Sequence, residues 1–309
     1  MSNGHIPLVS IAVCTYNGEK FLTEQLDSLV GQSYQNVEIV VVDDCSKDNT
    51  FNILKQYEER YPNFKVYRNE QNLGYIKNFE KAISLCEGEY IALSDQDDIW
   101  ETNKIELQLL SIGDYSLIYH DSEFINESGI SKNAKISDVR NFYRGRDSNI
   151  FLLENCVSGH AILFKKELKP YLKNFTPLIF HDWWITFIAC HIAGITYLNQ
   201  SLVKYRQHEN ASTDILKSRN KKQEALSGIT KEFEILKTFY TLPFKKDAIL
   251  EKLVHLYEKR MNSYFSFSLA FFLYSQRRTL IYIKKKSTIS KMNLIIKYAW
   301  GYKLKKLLN

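Results

Sequence analysis

Apolar runs and helix-spaced apolar positions alternate through the first hundred residues. Leu8-Val9-Ser10-Ile11-Ala12-Val13 is a β-branched run closed by the turn Thr15-Tyr16-Asn17-Gly18. Phe21, Leu22, Gln25, Leu26 and Leu29 then recur on one helix face up to Gly31. A second strand is predicted over 37–42, and Asp43-Asp44-Cys45-Ser46 turns into a helix from about Asp48 to Arg60. A short strand over 64–67, a helix over 74–85 and a strand over 90–93 complete the series. Such alternation with short connections predicts right-handed βαβ crossovers and a mostly parallel α/β sheet with helices on both faces. Ligands on sheets of this kind bind beyond the carboxyl ends of the strands. The polar groups Thr15-Tyr16-Asn17, Asp43-Asp44 and Asp95 to Asp98 all follow strands, so they should converge on one cleft.

The pattern is mixed from 115 to 210. Residues 115–119 read as a strand ending at His120-Asp121, and 126–149 as a polar loop. Residues 161–164 read as a strand preceded by Ser158-Gly159-His160, 182–192 as a buried helix, and 197–206 as an extended segment. Helix formers, basic residues and aromatic blocks dominate beyond 211. Helices are predicted there over roughly 216–240 and 247–275, followed by a basic terminal pair. The expected division is a catalytic domain over 1–210 and a helical extension over 211–309.

Composition adds two points. The 309 residues are 45% apolar and 25% charged, ordinary for a water-soluble globular chain. The five Cys include no C-x-x-C pair, there is no signal-peptide pattern, and no apolar run could span a bilayer. The expectation is a cytoplasmic protein with reduced thiols. The second point is charge asymmetry: the net +6 divides into +14 over 211–309 and −8 over the remainder.

Asp95-Gln96-Asp97-Asp98 puts three carboxylates in four residues after an apolar run. They repel one another unless a cation lies among the oxygens, and Mg²⁺ or Mn²⁺ commonly brings a phosphate-bearing substrate. A solvated acidic turn or helix cap is the plain alternative. The stretch from Asp43 lacks the central Gly and closing Glu of a calcium loop. Neither G-x-G-x-x-G nor a P-loop occurs.

Taken together, the chain resembles the family 2 glycosyltransferases of GT-A fold. The matching pieces are Val9 to Asn17, Gln32-Ser33-Tyr34, Val41 to Thr50, Asn72-Leu73-Gly74 with Asn78 and Ala82, and Ser94 to Asp98. The resemblance implies an inverting, metal-dependent transferase that takes a sugar from a nucleotide-sugar donor (UDP- or dTDP-linked). It implies Asp97 as the main metal ligand, Asp98 assisting, and Asp95 on ribose or metal. Tyr16 would stack on the base, Asp43 or Asp44 would bond to it, and Thr15, Asn17, Asn72, Gly74 and Asn78 would complete the donor site. His208 in Tyr205-Arg206-Gln207-His208 would complete the metal site, and Asp182 would be the general base. The order His181-Asp182-Trp183-Trp184 resembles the rhamnosyltransferase-like branch, and Gly159, His160, Trp183 and Trp184 are candidates for the acceptor pocket.

The implied acceptor is a glycan, lipid-linked at the cytosolic membrane face, as in bacterial surface polysaccharide synthesis. The basic tail fits peripheral contact with anionic lipid, and equally a helix bundle that packs on the catalytic domain or forms a homo-oligomer. Nucleic acid is disfavoured, because no reading motif is present and the body is acidic. A Mg²⁺-dependent phosphoester-cleaving enzyme and a catalytically silent scaffold of the same fold are the competing classes.

Overall fold

In a computed structural model of the chain, residues 5–208 and 224–308 are described. The chain forms two compact units. Unit 1 runs through Ser137, takes in Phe142–Arg146, and resumes at Val157. Unit 2 contains Asp138–Asn141, Asp147–Cys156 and the C-terminal helices.

Unit 1 begins as the alternation predicts: β1 (Val9–Thr15), α1 (Glu19–Val30), β2 (Val37–Asp43), α2 (Thr50–Arg60), β3 (Phe64–Arg68), α3 (Tyr75–Leu85) and β4 (Tyr90–Ser94). β5 (Ile99–Trp100), α4 (Lys104–Ser111), β6 (Leu117–Ile125), β7 (Ser131–Lys135), α5 (Ile136–Val139), β8 (Leu163–Lys165), α6 (His181–Ile192) and β9 (Ile195–Arg206) follow. The sheet order is β3-β2-β1-β4-β8-β6-β9-β5, with β7 paired to β6. Strands β3, β2, β1 and β4 are parallel throughout. Beyond β4 the sheet is mixed, since only β6 and β9 pair in parallel. Every residue of β1 is buried, which explains its unbroken apolar run: a strand covered on both faces has no solvent side to alternate with. α1 covers the sheet with Leu22, Gln25, Leu26 and Leu29, and each buried Leu contributes about 1.5–3 kcal/mol.

Two predicted boundaries are corrected in this unit. β6 does not end at His120-Asp121 but continues to Ile125 with His120, Asp121 and Ser122 buried. The polar loop expected over 126–149 contains β7 and α5. Asp121 accepts hydrogen bonds there from Ser137 N at 3.1 Å and Ser137 Oγ at 2.5 Å, so a partner from the following segment lets polar side chains stay inside a strand.

Unit 2 consists of α7 (Glu224–Thr241), α8 (Ala248–Met261), α9 (Phe267–Ser275), α10 (Arg277–Leu280), α11 (Thr288–Ala299) and α12 (Tyr302–Leu308), with the two inserted segments. The helix expected over 247–275 is interrupted. Asp247 caps α8 by accepting from Ile249 N at 2.7 Å, and Ser266 restarts the chain by accepting from Leu269 N at 3.3 Å. Glu154 on an inserted segment pairs with Arg140 at 2.8 Å and with Lys284 at 2.5 Å. Among the described residues no helix is long and apolar enough to cross a membrane.

Candidate active site

The first turn of the site rests on Asp43 at the end of β2. Its carboxylate is enclosed, accepting from Thr15 Oγ1 at 3.1 Å, from Ser46 N at 3.0 Å and from Ser46 Oγ, with Arg68 Nε at 3.4 Å. Those donors use up the lone pairs of a carboxylate, so Asp43 is frame rather than ligand contact. Asn17, at φ 48°, accepts from Lys47 N at 2.9 Å, and Cys45 is likewise left-handed at φ 63°. Both bends belong to the paired loops that follow β1 and β2.

Asp44 faces the other way. Its Oδ1 accepts from Asn69 Nδ2 at 2.7 Å and Leu73 N at 2.8 Å, and its Oδ2 from Gly74 N at 2.9 Å. Asn78 steadies Asn69 at 2.9 Å and donates to Val42 O at 2.8 Å, while Asn72 Oδ1 also accepts from Gly74 N. The Asn-x-Gly-x-x-x-Asn spacing therefore builds the cradle for one carboxylate, which keeps an acceptor site in reserve. Gly74 has φ 80°, a backbone conformation that disfavours a side chain. Tyr16 is largely exposed, and its backbone is clamped in both directions by Gln96, at 2.8 Å and 3.1 Å. Gln96 thus ties the acidic turn to the β1 loop, a role the sequence reading did not assign.

The acidic turn splits its three carboxylates. Asp97 Oδ2 lies 2.8 Å from His208 Nε2, and His208 packs its ring against Phe21 with centroids 5.1 Å apart. Asp98 is wholly buried and turns toward His160, whose Nδ1 is 3.4 Å from Asp98 Oδ2 and 3.8 Å from Asp95 Oδ2. His160 is held from behind by Ser122 Oγ at 2.9 Å and by the Tyr205 ring. Burial, then the charges of Asp97 and Asp95, push the Asp98 carboxyl well above the usual range, and the Arg206 amide opposes them only partly. Burial also acts to raise Asp95, but the neighbouring His160 and His181 outweigh it, so the net direction is down.

Arg206 organises this turn. Its backbone N donates to Asp98 Oδ1 at 3.0 Å, its Nε to Asp97 O at 2.8 Å, and its terminal nitrogens to Glu127 O at 2.7 Å and to the Glu24 carboxylate. The guanidinium lies 4.8 Å from the Phe21 centroid. The sequence reading quoted Arg206 only as a neighbour of His208. A charged residue ending a strand two positions before a candidate ligand was the available signal.

Asp95, Asp98 and His160 have ligand atoms all within 4.8 Å of one another, one group of such residues found among those described. The donor set suits a divalent cation, with hard carboxylate oxygens beside imidazole nitrogen. A second observation agrees: Asp98 Oδ2 is buried and has no hydrogen-bond partner within the protein. His160, expected at an acceptor pocket, is therefore built into the acidic cluster. Lys104 Nζ and His120 Nε2 are also buried without hydrogen-bond partners, and Lys104 Nζ lies 3.2 Å from the Trp100 ring centroid.

The remaining candidates gather at the start of α6. His181 stacks on Phe79 with centroids 4.0 Å apart, and burial lowers it to about 4 despite the opposing charge of Asp95, so the ring is neutral near pH 7. A Cβ on Gly159 would come within 2.7 Å of His181 Nε2, so this glycine admits the ring. Asp182 is half-buried in the first turn, Trp183 is half-buried beside it, and Trp184 is buried with its ring edge toward Phe175.

The sequence profile of Glycosyl transferase family 2 matches residues 10–171. A Haemophilus influenzae protein described as an uncharacterized glycosyltransferase is 27% identical over 231 residues, covering 68% of this chain and 68% of that protein. The putative teichuronic acid biosynthesis glycosyltransferase TuaG of Bacillus subtilis is 38% identical over 103 residues, 33% of this chain and 41% of its own length. Among solved structures, S. aureus TarS 1-349 in complex with UDP-GlcNAc superposes with a TM-score of 0.55 at 20% identity, over 97% of this chain and 91% of that one. The mannosyltransferase PcManGT of Pyrobaculum calidifontis, in complex with GDP-Man and Mn²⁺, superposes with a TM-score of 0.52 at 16% identity, over 94% of this chain and 79% of its own. At such identities the structural likeness speaks for the fold, a mixed α/β sheet of GT-A type with C-terminal helices.

Proposed function

The chain belongs to glycosyl transferase family 2, and from that premise we propose an inverting transfer from a nucleotide-sugar donor to a hydroxyl of a glycan. The observation that carries the proposal is the meeting of Asp97 with His208 beside the Tyr16 and Asp44 loops, at the carboxyl ends of β1, β2 and β4. Tyr16 stacks its exposed ring on the base, and Asp44 accepts a base N–H with its spare lone pair. Asp97 and His208, less deeply buried than Asp98 and His160, would hold a divalent cation at the donor diphosphate. The buried Asp98 and His160 support them from beneath, with the more exposed Asp95 alongside. A bound Mn²⁺ or Mg²⁺ would neutralise the charge developing on the departing nucleoside diphosphate.

Asp182 is the general base. One of its carboxylate oxygens takes the proton of the acceptor hydroxyl while the hydroxyl oxygen attacks the anomeric carbon. The bond to the diphosphate breaks from the opposite face, and its electron pair leaves with the phosphate. One displacement inverts the configuration. The UDP-GlcNAc complex of TarS supports a UDP-type donor, and the order His181-Asp182-Trp183-Trp184 favours testing dTDP-linked deoxyhexoses beside it. The likeness to TuaG, whose name places it in teichuronic acid biosynthesis, supports a polysaccharide as acceptor, and the proposal takes that glycan to be lipid-linked.

The test is a donor panel (UDP-, dTDP- and GDP-sugars) read by thermal shift with and without Mn²⁺, then by transfer to glycan acceptors. Asp182→Asn should bind the preferred donor in calorimetry and fail to transfer its sugar. Full transfer by that variant removes Asp182 as base. Cleavage of simple phosphoesters with no donor preference would replace the transferase reading by a hydrolytic one.

A further inference from the structure

Helix α9 in unit 2 is amphipathic in an unusual sense. Leu269 and Leu273 fill its inward side, while Phe267 and Phe271, at four-residue spacing, stand 80% and 75% exposed with Tyr274 on the same side. Helix α11 packs against α9 and repeats the pattern. Ile295 and Ala299 point inward; Ile289, 75% exposed, and Ile296 lie seven residues apart on its outer side. Trp300, also exposed, follows the end of α11, and its backbone bridges to Phe265, whose ring meets Phe267 edge-on with centroids 4.8 Å apart. Scattered single apolar residues need no explanation, but two packed helices that each turn a large apolar face outward do.

Charge identifies the occupant. From Lys259 to the C-terminus the chain has 12 Lys and Arg and no Asp or Glu. Arg278, Lys285, Lys286, Lys297, Lys303 and Lys306 are exposed, and the Arg277 guanidinium lies 4.3 Å from the centroid of Tyr274. We propose that the outer faces of α9 and α11 dock on an anionic phospholipid surface, with Phe267, Phe271 and Ile289 in the acyl boundary and the basic side chains among the headgroups. A second copy of the chain would bring two strongly basic segments together, which repels. A nucleic acid would satisfy the charge yet leave Ile289 and Ile296 with no apolar partner. The proposal goes beyond the transfer reaction and does not depend on it.

The experiment is flotation of the full chain with vesicles of phosphatidylcholine alone or with about 30% phosphatidylglycerol. Binding should require the anionic lipid and fall away in about 0.5 M salt. Lys285→Glu with Lys286→Glu should weaken it by about 25-fold or more, at about fivefold per basic residue lost. Phe267→Ser with Phe271→Ser should weaken it at least about tenfold through lost apolar insertion. All four side chains are exposed, the melting temperature of both double variants separates lost binding from lost folding, and the donor-induced thermal shift reads the transferase assignment separately. Three results overturn the proposal. One is vesicle binding that ignores the Phe pair. Another is a single-stranded oligonucleotide that binds as tightly and displaces the vesicles. The last is a concentration-dependent dimer, dissolved by the Phe pair, with no vesicle binding at all.

Discussion

Arg206→Met should destabilise the protein by about 3–5 kcal/mol and weaken Mn²⁺ binding together. The guanidinium is almost fully buried and gives N–H groups to Asp97 O at 2.8 Å and Glu127 O at 2.7 Å, besides pairing with Glu24. Hydrogen bonds from a charged donor contribute about 1.5–3 kcal/mol each, and Met removes the donor from both carbonyls. The Glu24 pair adds only about 0–1 kcal/mol, because the Glu24 side chain is half exposed and returns to water. Loss of the cation over the Phe21 ring adds about 0.5–1 kcal/mol. These terms are not additive, which keeps the expected total within the stated range. The hydrogen bond that Arg206 N donates to Asp98 Oδ1 does not depend on the side chain, so the turn should loosen at Asp97 first. Urea denaturation without metal measures the stability, and calorimetric Mn²⁺ titration measures the alignment of Asp97 with His208. Arg206→Lys should fall between parent and Met, since one ammonium cannot span carbonyls that a planar fork reaches. A stability loss below about 1 kcal/mol would refute the clamp. A large stability loss with unchanged Mn²⁺ affinity would refute its link to the ligand pair.

His208→Ala should lower Mn²⁺ affinity more than His160→Ala, whose effect should stay within the roughly 10–100-fold expected of a supporting partner; calorimetry showing the reverse order would move the ion to Asp95, Asp98 and His160. The lowered His181 makes stability pH-dependent: full above its ordinary 6.5, falling as pH drops toward about 4, and level below, because the unfolded chain binds the proton and the folded one does not. By pH 4.5 this amounts to about 2–3 kcal/mol, and His181→Phe, which keeps the stacking on Phe79, should flatten that part of a melting-temperature profile. Asp44→Asn turns an amide N–H₂ toward donors that now bond to a carboxylate, and should cost about 1–3 kcal/mol together with donor binding; an unchanged urea midpoint and donor affinity would dismiss the cradle.

β1 to β4 were legible because strands buried on both faces read as continuous apolar runs, and the helices between them show an amphipathic period. The misread stretches share one cause. His120, Asp121 and Ser122 are polar residues in a buried strand, and their compatibility depends on Ser137 and His160, which lie 16 to 38 positions away. Local polarity has no access to such partners. The break between α8 and α9 was visible in Asn262, Ser263 and Ser266, yet flanking helix formers and aromatics outweighed those signals. At the site, residue types were readable and their division was not. Gln96 and Arg206 act by pairing with backbone across 80 and 109 positions, and backbone pairing leaves no trace in side-chain chemistry.

That division changes the electrostatic case from which the cation was first inferred. Three carboxylates in four residues imply a strong mutual repulsion that only a metal relieves. The fold relieves much of it without one. Neighbouring acids are turned to different partners: Asp43 to Thr15, Ser46 and Arg68, Asp44 to the Asn69 and Gly74 loop, Asp97 to His208, and Asp98 to His160. What remains is narrower and more specific. Asp98 keeps one buried oxygen with no hydrogen-bond donor, and burial with its two charged neighbours drives its carboxyl well above the usual range. A divalent ion at Asp97 and His208 would oppose the repulsion that Asp97 imposes on Asp98 and lower that carboxyl toward the usual range. Metal binding should therefore release a proton from the acidic turn, and the heat of Mn²⁺ binding should vary with the ionisation enthalpy of the buffer. A heat that is the same in phosphate and Tris would mean that Asp98 does not respond to the ion, and that the orphaned oxygen belongs to the frame alone.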